Sequence, residues 1–172
     1  MTLDLLIPVC TIAHDVLALP RLTYGKPSTR RPEAMFQITP ACAAAELIRI
    51  SVLSMLSMVI TTTSGDSSYC ATRRKFPMQQ LVTLTEEGVG IGWEELRLWV
   101  IVIQTLMETG SARLWCLDQI THAMSLLFLR SWNDLMCCIR QVIWIEKAAI
   151  LEMAQLKFDI ETRLTDGTHI TL

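Results

Sequence analysis

Helix breakers are scarce in this chain of 172 residues, with seven glycines and six prolines. None of either lies between Ser111 and Asp166, a stretch of fifty-six residues. Their absence excludes tight-turn architecture there and leaves the helix as the default backbone state. Histidine is equally rare: His14, His122 and His169 are the only three, and none stands beside a Ser or Cys in a nucleophile-like setting. The sequence has no CxxC pair, no zinc-like Cys/His spacing and no ExxH carboxylate pattern, so no metal centre is expected. The glycines of EEGVGIG (86–92) alternate, but no GxGxxG or GxxxxGK follows and no Lys is in place, which argues against a phosphate loop. These absences together lead us to expect a protein that is not an enzyme and carries no cofactor.

Charge of one sign is also missing. A net charge of −2 gives no electrostatic case for nucleic acid or an acidic membrane surface. No uncharged apolar run reaches the roughly 20 residues that span a bilayer. The nearest, from Ile50 to Gly65, is broken by serines and threonines, so no membrane insertion is expected. The first twenty residues are apolar but lack a basic segment, which makes a poor signal peptide.

What is present is apolar periodicity. Hydrophobic residues make up 51% of the chain. Within 111–166, Leu114, Leu117, Ile120, Met124 and Leu127, then Leu135, Ile139, Val142, Ala149, Met153, Leu156, Ile160 and Leu164, recur at steps of three and four, the mark of a helix with one buried face. SWND (131–134) brings cap-forming residues together and predicts a break into two helices. Upstream, residues 3–19 read as a helix ended by Pro20, with Leu5, Leu6, Val9, Ile12, Val16 and Leu19 inside. A second begins with Thr39 as N-cap and Pro40 at its first position, and TTTSGDSS ends it. QQLVTLT (79–85) has β character and predicts a strand or extended crossover. A further helix runs from Trp93 until Gly110 stops it; Ile101 and Val102 make it apolar nearly all round, as a central or partner-facing helix would be. The expected fold is therefore all-α, a four- to five-helix bundle forming a single domain over 1–172. Six cysteines, at 10, 42, 70, 116, 137 and 138, leave two options open: one or two disulfides, or small buried thiols in a reducing compartment.

Several fragments, taken in order, resemble the growth hormone and prolactin family of four-helix hormones. Ala13–His14 with Thr23–Tyr24 is similar to that family's first helix, ITP (38–40) and ELIRISVL (46–53) to its second, EEG (86–88) and IQTLM (103–107) to its third, and DLMCCIRQ, IEK and AQLK (134–157) to its last. The pieces cover about a quarter of the chain, ELIRIS and IQTLM being the most specific. The resemblance implies up-up-down-down topology and receptor binding through the first and last helices, with His14, Arg140, Glu146 and Lys147 on one face. A second receptor face would lie around Val102, where the family needs a very small residue. It also implies a long-range disulfide from Cys138 to Cys42 or Cys10. Departures are plain: no cysteine precedes ITP, the loop after the first helix is short, and a further histidine of the family's zinc site is Leu17 here.

Two functions follow as expectations. One is a secreted helical cytokine or hormone that binds a cell-surface receptor, present in mature form. The alternative is a cytoplasmic helical interaction protein, such as a viral accessory factor, with no enzymatic activity.

Overall fold

A computed structural model describes residues 14, 18, 39–64, 78–86, 93–142, 144 and 149–168. The described residues form six helices and no strand, an all-α fold. They are α1 (Pro40–Ser64), α2 (Met78–Leu84), α3 (Trp93–Met107), α4 (Gly110–Leu126), α5 (Trp132–Arg140) and α6 (Ile150–Thr168). The helix expected over 3–19 lies outside the described residues except at His14 and Ala18, where the Ala18 amide donates to the His14 carbonyl in one helical turn.

The chain divides into two compact units, one of residues Met1–Leu53 with Arg73–Gly90, the other of Ser54–Thr72 with Ile91–Leu172. In the first, α1 begins as its sequence dictates. The Thr39 hydroxyl accepts from the Cys42 amide, and Pro40 loses nothing at a position whose N–H has no partner in the helix. Ala43, Leu47, Val52, Leu81 and Val82 are buried in this unit. Glu46 and Arg49, one turn apart on α1, form an ion pair. α1 extends four residues beyond Ile60, through the threonines expected to end it, and within this turn the Thr62 hydroxyl donates to the Met58 carbonyl. Over Pro40–Thr62, α1 is long and apolar enough by length and composition to cross a membrane, since Glu46 and Arg49 do not break the count. The expectation concerned uncharged runs, and this one carries Glu46 and Arg49; most of the stretch is buried inside the protein, as a core helix is.

Of residues 79–85, expected to be extended, 79–84 are helical in α2 and Thr85 lies in the turn that follows. Val82 and Thr85 favour strands, yet Leu81 and Val82 are buried side by side and the Thr85 hydroxyl donates to the Val82 carbonyl, a local bond that a strand cannot make. Burial overrides propensity here.

The second unit is built on α3. Every residue from Arg97 to Leu106 is buried, which a helix apolar on all sides permits. α3 packs against α4, α5 and α6, and α6 packs against α4 and α5. Glu94 and Glu95 occupy the first turn of α3, where they complement the positive end of the helix dipole. The direction of the helices follows from cross-helix bonds. Arg113 of α4 donates to the Thr105 carbonyl at 2.7 Å and Arg97 of α3 to Gln119 Oε1 at 3.0 Å, so α3 and α4 are antiparallel. Arg113 meets Asp159 and Asp118 meets Arg163, so α4 and α6 advance in the same direction. α3 and α6 are then antiparallel.

The break expected at Ser131–Asp134 is present, but a second divides the remainder. α5 ends at Arg140 and α6 begins at Ile150, with no glycine or proline between them. Val142, Ile143, Trp144 and Ile145 follow one another there, β-branched and aromatic residues that give up the most side-chain freedom in a helix. Nor does Gly110 end α3. That helix stops at Met107, and Gly110, with φ of +59°, opens α4.

Candidate protein-binding surfaces

The residues singled out by the family resemblance are described only in part. His14 and Arg140 are exposed, Arg140 being the last residue of α5. Glu146, Lys147 and Cys10 lie outside the described residues. Val102 is fully buried at the middle of α3, so it offers no surface to a receptor; the residues that make α3 apolar all round meet the rest of the unit instead. Cys42 and Cys138 are both half-buried free thiols. Burial, Glu95 and Cys137 push the Cys138 thiol up, so at neutral pH it stays protonated and is neither an activated nucleophile nor a ready partner in exchange. Among the described residues no three His, Cys, Asp or Glu side chains gather into a metal-binding group.

The polar side chains inside the second unit act as staples. Arg113, less than a fifth exposed, bridges three helices: one nitrogen holds the Thr105 carbonyl in the last turn of α3, the other Asp159 of α6 at 2.7 Å. Gln155 donates to the second oxygen of Asp159 at 2.8 Å, which completes that carboxylate. Arg97, almost fully buried, reaches Glu94 at 3.5 Å and Gln119. These contacts tie α3, α4 and α6 together along one seam.

Among the described residues of the second unit, two regions carry the most exposed large apolar side chains, and neither was singled out in the sequence. The first is the corner between α4 and α5. α4 ends in a Schellman motif: the Leu129 amide donates to the Met124 carbonyl at 2.8 Å and the Phe128 amide to Ser125 at 3.2 Å. That motif needs one left-handed residue, a place suited to glycine, and Phe128 takes it with φ of +56°. Its side chain is 85% exposed and the neighbouring Leu126 is 51% exposed. α5 then starts at once. The Ser131 hydroxyl accepts from the Asp134 amide and donates to the Asp134 carboxylate, which also accepts from the Arg130 amide. These bonds, the Ser131 hydroxyl first, hold Asp134 below the usual carboxylate range.

The second region is the outer side of α6. Its inner side carries Ala149, Leu156 and Ile160, all buried. On the opposite side Leu151 is 82% and Phe158 65% exposed, with Ala154 exposed between them. Thr162 and Thr165 continue this side, and both turn their hydroxyls onto carbonyls of their own helix, at Phe158 and at Glu161 and Thr162. Their methyl groups are what remains for the surface. Sequence reading found only the inner stripe, because it follows one face; the signal for the other was Leu151 and Phe158, seven residues apart and out of phase with it. Leu114, placed on the inner stripe of α4, is 56% exposed as well.

No protein-family model, curated protein or solved structure matches this chain.

Proposed function

We propose that this chain is a non-catalytic helical protein that works by binding other proteins, with its helices arranged as a bundle of the four- to five-helix kind. Phe128 is the observation that carries this reading. A non-glycine residue in the left-handed region costs about 1–2 kcal/mol, and an exposed aromatic ring returns little of that to the fold. The fold alone would be better served by glycine. A ring held out by a rigid helix cap, next to exposed Leu126, has the character of the aromatic anchors that dominate protein interfaces. No nucleic-acid partner and no membrane insertion belong to this reading.

The test is site-specific photo-cross-linking. A photoreactive phenylalanine analogue at position 128 should yield discrete protein adducts in extract of the source cells, identified by mass spectrometry, while the same analogue at exposed Asn133 should yield few. Equal, weak labelling from both positions would remove the basis for the proposal.

A second reading, a receptor-binding hormone, is favoured by one observation: His14 and Arg140, two of its contact residues, are exposed. It requires a disulfide to Cys138. Intact mass measured with and without reductant decides it, since a difference of about two hydrogens per bridge supports that reading and none removes it.

A further inference from the structure

We infer that the corner between α4 and α5 is an exchange hinge, at which two copies of this chain straighten α4 into α5 and trade the arm formed by α5 and α6. The inference goes beyond the protein-binding reading and stands without it. Only residues 127–131 separate the two helices, and no glycine or proline lies anywhere between Ser111 and Asp166. Leu127, Leu129 and Arg130 are good helix formers, so nothing local stops the helix from running on. The bend instead depends on Phe128 in the left-handed region, with φ of +56°, where a side chain is strained and glycine is not. Short hinges under strain are the ones at which identical chains exchange elements.

The apolar register agrees with a straight helix through the corner. At about 100° per residue, such a helix places Ile120, Met124, Leu127, Phe128, Leu135 and Ile139 within about a third of its circumference. Ile120, Met124, Leu135 and Ile139 are buried in the bent form, whereas Phe128 is 85% exposed. Straightening therefore brings the exposed ring into line with the buried stripe and relieves its backbone in one step. The backbone groups that the two caps serve take ordinary helical bonds instead. Exchange keeps the rest of the core. α5 packs on α3, and α6 on α3 and α4, with the pairs Arg113–Asp159 and Asp118–Arg163 joining α4 to α6. In the exchanged form each of these contacts is made with the other copy's α3 and α4. Two chains thus gain relief at the hinge and lose the freedom of separate molecules, so exchange rises with concentration.

The experiment uses the full chain, refolded from urea at low and at high concentration, with molar mass read by light scattering. Wild type refolded at high concentration should contain a two-chain species that persists on dilution, because return requires α5 and α6 to leave the core. Phe128→Gly should lower the two-chain fraction at least tenfold, since glycine is unstrained in the corner and a poor helix former. Phe128→Ala should keep that species, because alanine retains the strain and favours the helix. Exchange is read directly by combining Asp118→Cys with Arg163→Cys, at an ion pair that joins α4 to the arm. With each single substitution as the control, oxidation of the double variant should link two chains in the two-chain fraction and bridge within one chain in the single-chain fraction. A non-reducing denaturing gel separates these products. A wild type that is single after both refoldings would overturn the inference. So would a two-chain species whose new bridge stays within one chain, or one that Phe128→Gly leaves as abundant as before. Loss of the species in Phe128→Ala as complete as in Phe128→Gly would assign it to contacts of the ring and overturn the hinge as well.

Discussion

α3 and α6 are both apolar on more than one side, yet only one of them is fully covered. α3 buries an unbroken run from Arg97 to Leu106, including Arg97, Gln104 and Thr105, because α4, α5 and α6 all pack against it. α6 packs against the same unit with Ala149, Leu156 and Ile160 and leaves Leu151 and Phe158 in solvent. Apolar residues on two faces thus have two meanings. In α3 they report a central position, and in α6 an inner contact plus a surface that no described part of the chain occupies. The difference lies in neighbours, which periodicity does not count.

The comparison can be broken hardest from the core side. Ile139→Asp places a carboxylate at a fully buried position of α5, against the packing around α3, and is expected to cost more than about 3 kcal/mol and to abolish the cooperative melt. A melting temperature within a few degrees of wild type would show that α5 does not seal this core. Next in size is Arg113→Ala. It strips the Thr105 carbonyl of its donor and leaves Asp159, itself only a fifth exposed, without its cation. A loss of about 2 kcal/mol is expected in urea unfolding. Asp159→Asn with Arg113→Ala should lose less than the sum of the two, because one contact is being removed twice.

The surface side gives smaller effects, one of them of opposite sign. Phe128→Gly relieves the left-handed strain and removes little packing, so it should stabilise the unit by about 1 kcal/mol while abolishing the contacts made at that corner. Destabilisation would mean that the ring packs on the protein after all. Ser131→Ala removes the α5 cap and should cost about 1 kcal/mol at neutral pH. The same substitution should flatten the acid limb of the stability profile. Asp134 has its folded-state pKa depressed, chiefly by Ser131, so its contribution is present above the ordinary carboxylate pKa near 4 and is lost as pH falls below it. The gap between wild type and Ser131→Ala should therefore narrow as pH falls below about 4; curves that stay parallel would show that the bond from Ser131 to the Asp134 carboxylate is not formed in solution.

Much of the architecture was legible in the sequence where local chemistry decides. Thr39–Pro40 opens α1 and Ser131 opens α5 as the cap signals imply, and α3 begins at Trp93 as expected. The inner stripe of α5 and α6 was legible too, since Leu135, Ile139, Leu156 and Ile160 are fully buried. What escaped was decided at longer range. Residues 79–85 have strand-forming side chains, and 79–84 became helical because Leu81 and Val82 are buried in that form. The break after Arg140 carries neither glycine nor proline. Val102 could be assigned to a receptor face because nothing in its own helix says which side is covered. Phe128 was invisible for another reason: its left-handed backbone follows from the Schellman bonds to Met124 and Ser125, and phenylalanine is a residue that no turn signal includes.

The contrast between a covered α3 and an open face on α6 is tested most directly by hydroxyl-radical footprinting of the full chain, read residue by residue at low protein concentration. Phe128 and Phe158 should be modified rapidly in dilute solution while Trp99 and Met124 stay protected. Trp99 modified as fast as Phe158, or Phe158 protected even at the lowest concentration, would contradict it.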